Sequence, residues 1–211
     1  KELTERDTYE WAIQENNAML ENALVDDVEG YSYYKRFTQM WRCPEHKLAA
    51  LRDLTAWRER AARDRDVPRN RILRNQAILK IIENWPRNLS ELSRLDEIKK
   101  RVLRTDGERI LSFLQGGMES AKANKPDPIA KPLHFFWNKH LKKLKSIARH
   151  SAEEHMIAPE ILLRRKELEL LIRSGVDGGE YQLPDQMTVW RQQLIGPALL
   201  DELVNIERLR H

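Results

Sequence analysis

An unusual concentration of arginine marks residues 56–78, AWRERAARDRDVPRNRILRNQAI. Guanidinium groups fork onto phosphate oxygens and stack on bases, which lysine does less well. Because the window also holds Glu59, Asp64 and Asp66, a solvated helix face with internal ion pairs is the alternative to a phosphate-binding cluster. The run IKKRVLR, residues 98–104, would widen the cluster. The predicted nucleic-acid-binding residues are Arg58, Arg60, Arg63, Arg65, Arg69, Arg71, Arg74, Lys99, Lys100 and Arg101.

Charge is distributed unevenly along the chain, whose 211 residues carry a formal net charge of +4. Residues 42–109 hold 18 basic and 11 acidic side chains, a net +7, whereas residues 1–41 hold 4 and 9, a net −5. Residues 110–211 hold 15 and 13. A positive middle third attracts nucleic-acid phosphates, and the attraction weakens as salt is added.

Other kinds of chemistry have little support in the sequence. Cys43 and His46 are three residues apart, but no second pair follows at zinc-finger spacing. Glu153, Glu154 and His155 are predicted to lie at a helix end, where charged side chains are ordinary. A glycine-rich phosphate loop is missing from the sequence. We therefore assign no catalytic residue, no metal site and no cofactor to this chain.

The cellular setting is predicted from cysteine content and hydropathy. The single cysteine excludes an intramolecular disulfide, which fits a reducing cytoplasm. No apolar run approaches the roughly 18 residues that a membrane span requires. The first residue is Lys1 rather than Met, and we expect the chain to be part of something longer. We expect a cytoplasmic monomer that does not associate with membranes.

Apolar residues recur at helical spacing and strand-type runs are scarce, which predicts an all-α fold. A long helix is predicted after Pro44 and is expected to end before Pro68. A pair of helices is predicted over about residues 96–104 and 107–121, and a helix break near Gly196–Pro197. The apolar positions of the first long helix are Leu48, Leu51, Leu54 and Trp57.

The apolar pattern restarts after residues 122–132, KANKPDPIAKP, which we interpret as a linker. Leu141, Leu144, Ile147, Leu163 and Leu168 lie 90 positions beyond Leu51, Leu54, Trp57, Leu73 and Ile78. This constant offset predicts two small helical bundles in tandem, from a duplicated unit of roughly 80 residues. The predicted divisions are a helix plus connector over 1–40, a first bundle over 41–121, the linker over 122–132 and a second bundle over 133–211.

Several of these residues together resemble the HRDC domain, the helical module that RecQ-type helicases and ribonuclease D share. The matching features are Ala56-Trp57-Arg58, the turn Asp66-Val67-Pro68-Arg69, Ile72-Leu73, Pro86, the pair Leu89 and Leu92, and Gly107 before Ile110-Leu111. The preceding segment MWRCPEHKLAALRDL is similar to the approach to the first HRDC domain of ribonuclease D. Val189-Trp190-Arg191 before Ile195-Gly196 looks like the end of a second, divergent copy.

The resemblance implies the C-terminal region of a ribonuclease D-like enzyme, a 3′→5′ exoribonuclease that trims tRNA precursors. Residues 1–25 resemble the helix that closes the nuclease domain of that family. The family's four catalytic carboxylates would precede residue 1, so we expect the nuclease domain, with its Mg²⁺ or Mn²⁺ ions, to be missing here. This chain would then bind RNA and an upstream nuclease domain of the same protein, and would not be an enzyme alone.

Two alternatives from other function classes remain at this stage. One is a DNA-binding HRDC module of a RecQ-like helicase, against which the duplication and residues 1–41 argue. The other is a protein-interaction scaffold made of duplicated helical bundles. The two hypotheses of nucleic-acid binding predict that binding weakens as salt is added, whereas the scaffold hypothesis predicts little salt dependence.

Overall fold

A computed structural model describes residues 8–24, 27, 29–176 and 179–208. The fold is all-α, as predicted, and the described residues contain no β-strand. They form two compact units. The first unit comprises the described residues from Asp27 to Pro132, and the second combines the N-terminal helix with the described residues from Leu133 onward. No helix within the described ranges is both long and apolar enough to cross a membrane.

Eleven α-helices are present in the described ranges, and two 3₁₀ turns, Tyr33–Arg36 and Thr38–Met40, precede the second helix. In the first unit the helices are α2 (Glu45–Asp64), α3 (Arg69–Ile72), α4 (Asn75–Asn84), α5 (Leu89–Ser93), α6 (Lys100–Gln115) and α7 (Gly117–Ala123). In the second unit they are α1 (Tyr9–Leu24), α8 (Trp137–Glu154), α9 (Pro159–Leu162), α10 (Arg165–Val176) and α11 (Val189–Arg208).

Helix α2 is the central element of the first unit. Its apolar residues at helical spacing, Leu48, Leu51, Leu54 and Trp57, are at most 4% exposed and pack against the other helices of the unit. Pro44 is its N-cap, and the helix ends before Pro68, as predicted. Burying side chains of this size contributes about 1.5–3 kcal/mol each, and this burial stabilises the helix more than its propensity does.

Two predicted helix boundaries were wrong. The first unit has one continuous helix over Lys100–Gln115 where a pair was predicted, because Gly107 sits inside it against Leu89 rather than ending it. Helix α11 likewise runs through Pro197. Proline removes one backbone hydrogen bond there, but the helix buries a continuous apolar face that offsets this cost. That face consists of Ile195, Leu199, Leu203 and Ile206.

A repeated helical hairpin is visible in both units at an offset of 90 residues. Asp66 and Met156 both have positive φ, 47° and 54°, after the first helix of the hairpin. The next amide in each copy donates 2.9 Å back to the helix, from Val67 N to Ala62 O and from Ile157 N to Ala152 O. The same backbone path therefore recurs in α2–α4 and α8–α10, while the identity of the second unit as an HRDC domain stays a prediction.

The structure divides the chain differently from the boundaries predicted from sequence. Residues 124–132 pack along the first unit, where Asp127 O accepts from Tyr34 Oη at 2.9 Å and Ile129 is buried in the core. Phe37 and Met40 belong to the same core, so this part of the predicted connector also lies in the first unit. These contacts join segments about 90 residues apart, and no local pattern reveals them.

Helix α1 packs in the second unit. The Trp11 and Trp190 rings stack with centroids 4.6 Å apart and planes 8° apart. Glu15 accepts from Thr188 Oγ1 at 2.6 Å and pairs with Arg191 Nε at 3.0 Å. Arg191 is 1% exposed and also donates to Glu167 at 2.9 Å. A buried ion triad of this kind fixes the helix's position, because removing one partner leaves an uncompensated charge.

Candidate nucleic-acid interface

One predicted contact residue, Arg58, is buried and serves the fold instead. Its side chain is 2% exposed, and Nη1 donates to Asn75 Oδ1 at 2.6 Å and to Leu73 O at 3.2 Å. Nη2 donates to Glu59 Oε1 at 3.1 Å. Burial lowers the pKa of this guanidinium, and the neighbouring Glu59 carboxylate acts in the opposite direction. Assigning Arg58 to a phosphate was wrong, since the group fills the crevice between α2 and α4.

Arg69 shares the same carboxylate. Its Nη1 lies 3.4 Å from Glu59 Oε2, and its guanidinium lies 5.0 Å from the centroid of the Tyr33 ring. The side chain remains 40% exposed. Arg69 is therefore held at the surface, and part of its N–H groups remain free to donate. This arrangement suits a residue that helps to position a ligand better than one that binds it alone.

Arg65 and Arg60 are also engaged with carboxylates. Arg65 donates two bonds to the buried Asp106, at 2.6 and 3.0 Å, and this hydrogen bonding raises the pKa of the guanidinium. The bond ties the end of α2 to α6. Arg60 donates to Glu29 Oε2 at 3.2 Å and to the backbone carbonyl of Glu29 at 3.0 Å. The alternative reading of the sequence, internal ion pairs, therefore holds for these two residues.

The remaining predicted cations are exposed. Arg101, near the start of α6, donates from Nη2 to the carbonyl of Arg71 at 2.9 Å, which brings α6 and α3 side by side. Arg63 is also exposed, at the end of α2 beside the Pro68 turn. We define the outer basic set as the predicted cations whose side chains are exposed and have no acidic partner among the described residues: Arg71, Arg74, Lys99, Lys100 and Arg101.

Sequence reasoning missed one exposed cation of this surface. Arg104 is exposed on α6, three residues after Arg101, with no acidic partner in the described part of the chain. Residues three apart share a helix face, so Arg104 extends the same positive surface by one turn. The spacing within IKKRVLR was the signal that could have identified it.

An open groove of about 710 Å³ borders the Pro68 turn. Tyr33 lies on one wall, with the guanidinium of Arg36 4.6 Å from its ring centroid. Arg63 and Asn70 line the same groove, together with the carboxylates of Glu59 and Asp66. The tyrosine ring and guanidinium groups offer flat surfaces on which a base can stack, while the two carboxylates reduce the positive charge available to a phosphate.

The structure adds no support for metal chemistry. No group of three or more His, Cys, Asp or Glu side chains suited to a metal occurs in the described ranges. His46, which is near Cys43 in sequence, packs edge-on against the Trp85 ring at 5.4 Å. Burial raises the pKa of the Cys43 thiol, so the thiolate that a metal would need is disfavoured.

Comparison with known proteins connects this geometry to a family. Residues 47–114 match the family model of the HRDC domain. Ribonuclease D of Pseudomonas paraeruginosa is 32% identical over 193 residues, which cover 92% of this chain and 51% of that protein. Ribonuclease D of Escherichia coli is 26% identical over 168 residues, covering 79% of this chain and 44% of that protein. The chain thus spans about half the length of the curated relatives it matches.

A solved structure has the same fold. It is the crystal structure of Escherichia coli RNase D, described as an exoribonuclease involved in structured RNA processing. The two structures align with a TM-score of 0.77 at 23% identity, over 96% of this chain and 54% of that one. Residues 47–114 therefore match the HRDC domain, in a chain that is similar to ribonuclease D over nearly its whole length.

Proposed function

We propose that this chain is the RNA-binding region of a ribonuclease D-type 3′→5′ exoribonuclease, and that it holds structured RNA such as tRNA precursors. Its homology to ribonuclease D and its HRDC domain support the enzyme class and a nucleic-acid partner. The Escherichia coli relative is described as acting in structured RNA processing, which favours folded RNA as the ligand.

The outer basic set is the observation that carries this proposal. Its five cations lie on α3, α6 and their flanking residues, and Arg101 Nη2 donates to the carbonyl of Arg71 between the two helices. Five exposed positive charges without acidic partners in the described residues attract a polyanion. Contacts of this kind position a nucleic acid through its phosphates, while the groove beside Tyr33 is suited to an unstacked base.

The proposal assigns cleavage to a different part of the same protein. Cleavage would belong to a nuclease domain of the same protein with Mg²⁺ or Mn²⁺ chemistry, and none of the residues described above is assigned to hold those ions. The HRDC domain would contribute affinity and orientation of the 3′ end. Its residues therefore act on binding rather than on the chemical step.

The test measures binding of the 211-residue chain to fluorescent tRNA and to single-stranded DNA of equal length, by anisotropy at several salt concentrations. The test variant is Arg71→Glu/Lys100→Glu, which changes two exposed side chains and leaves the bond from Arg101 Nη2 to the Arg71 carbonyl intact. Arg65 and Arg69 are left intact, because reversing them would disrupt their contacts with the buried Asp106 and Glu59. The matched control, Lys80→Glu/Lys122→Glu, makes the same change in charge at two exposed lysines away from the outer basic set.

We expect the test variant to bind tRNA at least about tenfold more weakly and to show a shallower salt dependence, by about one unit of slope for each lost phosphate contact. The control should change affinity by about twofold or less. Equal losses in both variants would remove the assignment of the outer basic set. Tighter binding of the DNA than of tRNA would favour the helicase-type module instead.

A further inference from the structure

The second unit contains an open, positively charged cavity that sequence reasoning did not identify. It has a volume of about 440 Å³ and lies between the C-terminal half of α8 and the hairpin formed by α9 and the start of α10. Ala148, Pro159 and Leu163 give it apolar walls. The charged side chains that line it are Lys145, Arg149, Glu160, Arg164 and Arg165. We call it the second-unit groove.

One side chain differs at the equivalent position of the first unit. At the offset of 90 residues Ala148 occupies the place of Arg58, whose guanidinium bonds to Leu73 O and Asn75 Oδ1. In the second unit that guanidinium is replaced by a methyl group, which leaves the space beside Ala148 open. The first unit also has an open groove nearby, lined by Glu59, Arg69 and Asn70, the equivalents of Arg149, Pro159 and Glu160.

Two further positions of the repeated hairpin are buried in the first unit and exposed in the second. Thr55 and Glu59 of α2 are buried, and Gly30 lies against Glu59 from the preceding segment. Their equivalents at the 90-residue offset, Lys145 and Arg149, are exposed. The face that the first unit covers with its own chain is therefore open in the second unit and carries cations where the first carries a hydroxyl and a carboxylate.

The charges around the second-unit groove are only partly compensated. Arg165 pairs with Glu169 at 2.9 Å, and Arg164 lies 3.9 Å from Glu15. Lys145 and Arg149 have no acidic partner within the described ranges. Four cations and one carboxylate line a concave surface, and such a concave positive site favours an anion.

We propose that the second-unit groove binds one nucleotide of a single-stranded RNA segment. Lys145 and Arg149 hold the phosphate, and the base lies over Pro159 and Leu163. Ligand pockets typically enclose about 300–1,000 Å³, so 440 Å³ is sufficient for one nucleotide. Apolar walls beside guanidinium groups suit an unstacked base with its phosphate, whereas a duplex exposes no free base to enter the cavity.

This inference rests on the proposed function only in taking RNA as the ligand. It adds a second contact site that does not involve the outer basic set. Two sites on one chain bind a single RNA with greater avidity than either alone, provided that the RNA reaches both. A short single strand reports on the second-unit groove when the substitutions are confined to the second unit, because the groove beside Tyr33 is then unchanged. Folded tRNA reports on the sum of both sites.

The experiment measures anisotropy of fluorescein-labelled U12 RNA with the complete 211-residue chain. The test variant is Lys145→Glu/Arg149→Glu, both at exposed positions. The matched control is Lys139→Glu/Arg208→Glu, at exposed positions of the same unit that do not line the groove. We expect the test variant to bind U12 at least about tenfold more weakly and the control within about twofold of wild type.

A second variant, Ala148→Arg, distinguishes entry of the RNA into the cavity from general electrostatic attraction of the RNA to the protein. It restores the side chain that fills the first unit, so it adds a positive charge while closing the space. We expect weaker binding of U12; tighter binding would show that the cavity is not entered and would overturn the proposal. Circular dichroism checks that Ala148→Arg is folded. If it is not folded, the U12 affinity of Lys145→Glu/Arg149→Glu decides whether the groove binds RNA.

The outcomes for the two proposals are distinguishable. Loss of U12 binding in Lys145→Glu/Arg149→Glu with unchanged tRNA binding in Arg71→Glu/Lys100→Glu supports the second-unit groove and removes the site assigned to the first unit. Equal U12 affinities in the test and control variants overturn the second-unit groove, even where tRNA binding depends on the outer basic set. Absence of U12 binding by the wild-type chain also overturns it.

Discussion

Substituting Glu59 by glutamine tests the reassignment of the arginine cluster from ligand binding to structure. Glu59 is 5% exposed and accepts from Arg58 Nη2 at 3.1 Å, with Arg69 Nη1 at 3.4 Å. Glutamine preserves the volume and one oxygen acceptor but removes the negative charge. Arg58 then remains in the crevice between α2 and α4 with only neutral acceptors, Leu73 O and Asn75 Oδ1.

The expected cost follows from the burial of the pair. Leaving one member of a buried ion pair without its partner typically costs about 3–5 kcal/mol, a large part of a total stability of about 5–15 kcal/mol. With a urea m-value of about 1–3 kcal/mol/M, the midpoint of the transition that reports the first unit should fall by about 1–5 M. The control Glu29→Gln removes an exposed partner of Arg60 and should cost about 0–1 kcal/mol.

Urea unfolding followed by far-UV circular dichroism and tryptophan fluorescence measures both variants. The double variant Arg58→Met/Glu59→Gln provides a further check, because removing both charges leaves no unpaired ion in the crevice. We expect it to recover much of the stability lost in Glu59→Gln. A midpoint for Glu59→Gln equal to that of Glu29→Gln would refute the structural role of the pair and restore Arg58 as a candidate contact.

The other predictions concern packing, pH and catalysis. Gly117→Ala places a Cβ 2.7 Å from the backbone oxygen of His46, so it should lower the free energy of unfolding by about 1–3 kcal/mol in the same urea assay, and an unchanged value would contradict the close approach of α7 to α2. Burial, with the charge of Lys139, lowers the pKa of His140, so the unfolded state binds the proton first as pH falls below about 6.5, the ordinary pKa of histidine, and stability decreases. His140→Phe should reduce this loss between about pH 7 and pH 5; an identical pH dependence in the variant would exclude His140 as its source. The purified chain should not shorten 3′-labelled RNA with Mg²⁺ or Mn²⁺, and measurable shortening would place an active site within these residues.

Much of the local architecture could be predicted from the sequence. The spacing of Leu51, Leu54 and Trp57 predicted a buried helix face, and the structure buries all three. Pro44 and Pro68 marked the two ends of the same helix. Such features depend on residues within a few turns of each other, so one segment of sequence contains the information. The HRDC resemblance was recognised for the same reason, since its motifs lie within about 70 residues.

The candidate site was only partly predictable, because sequence gives the number of charges but not their partners. Arg58 and Arg71 belong to the same arginine-rich run, yet one is buried and the other is exposed. Arg65 meets Asp106 from 41 residues away. Charge counting therefore overestimated how many of the guanidinium groups in this region are free of carboxylate partners.

The sequence by itself determined the all-α class, the main helices and the offset of 90 residues, because helical periodicity and proline geometry act over short distances. Only the tertiary structure decided which arginines are neutralised, that α1 packs in the second unit through Trp11 and Trp190, and that Ala148 leaves a crevice open where Arg58 fills one. These features depend on which side chains, distant in sequence, are buried next to each other in the low-dielectric interior, and helix packing determines that.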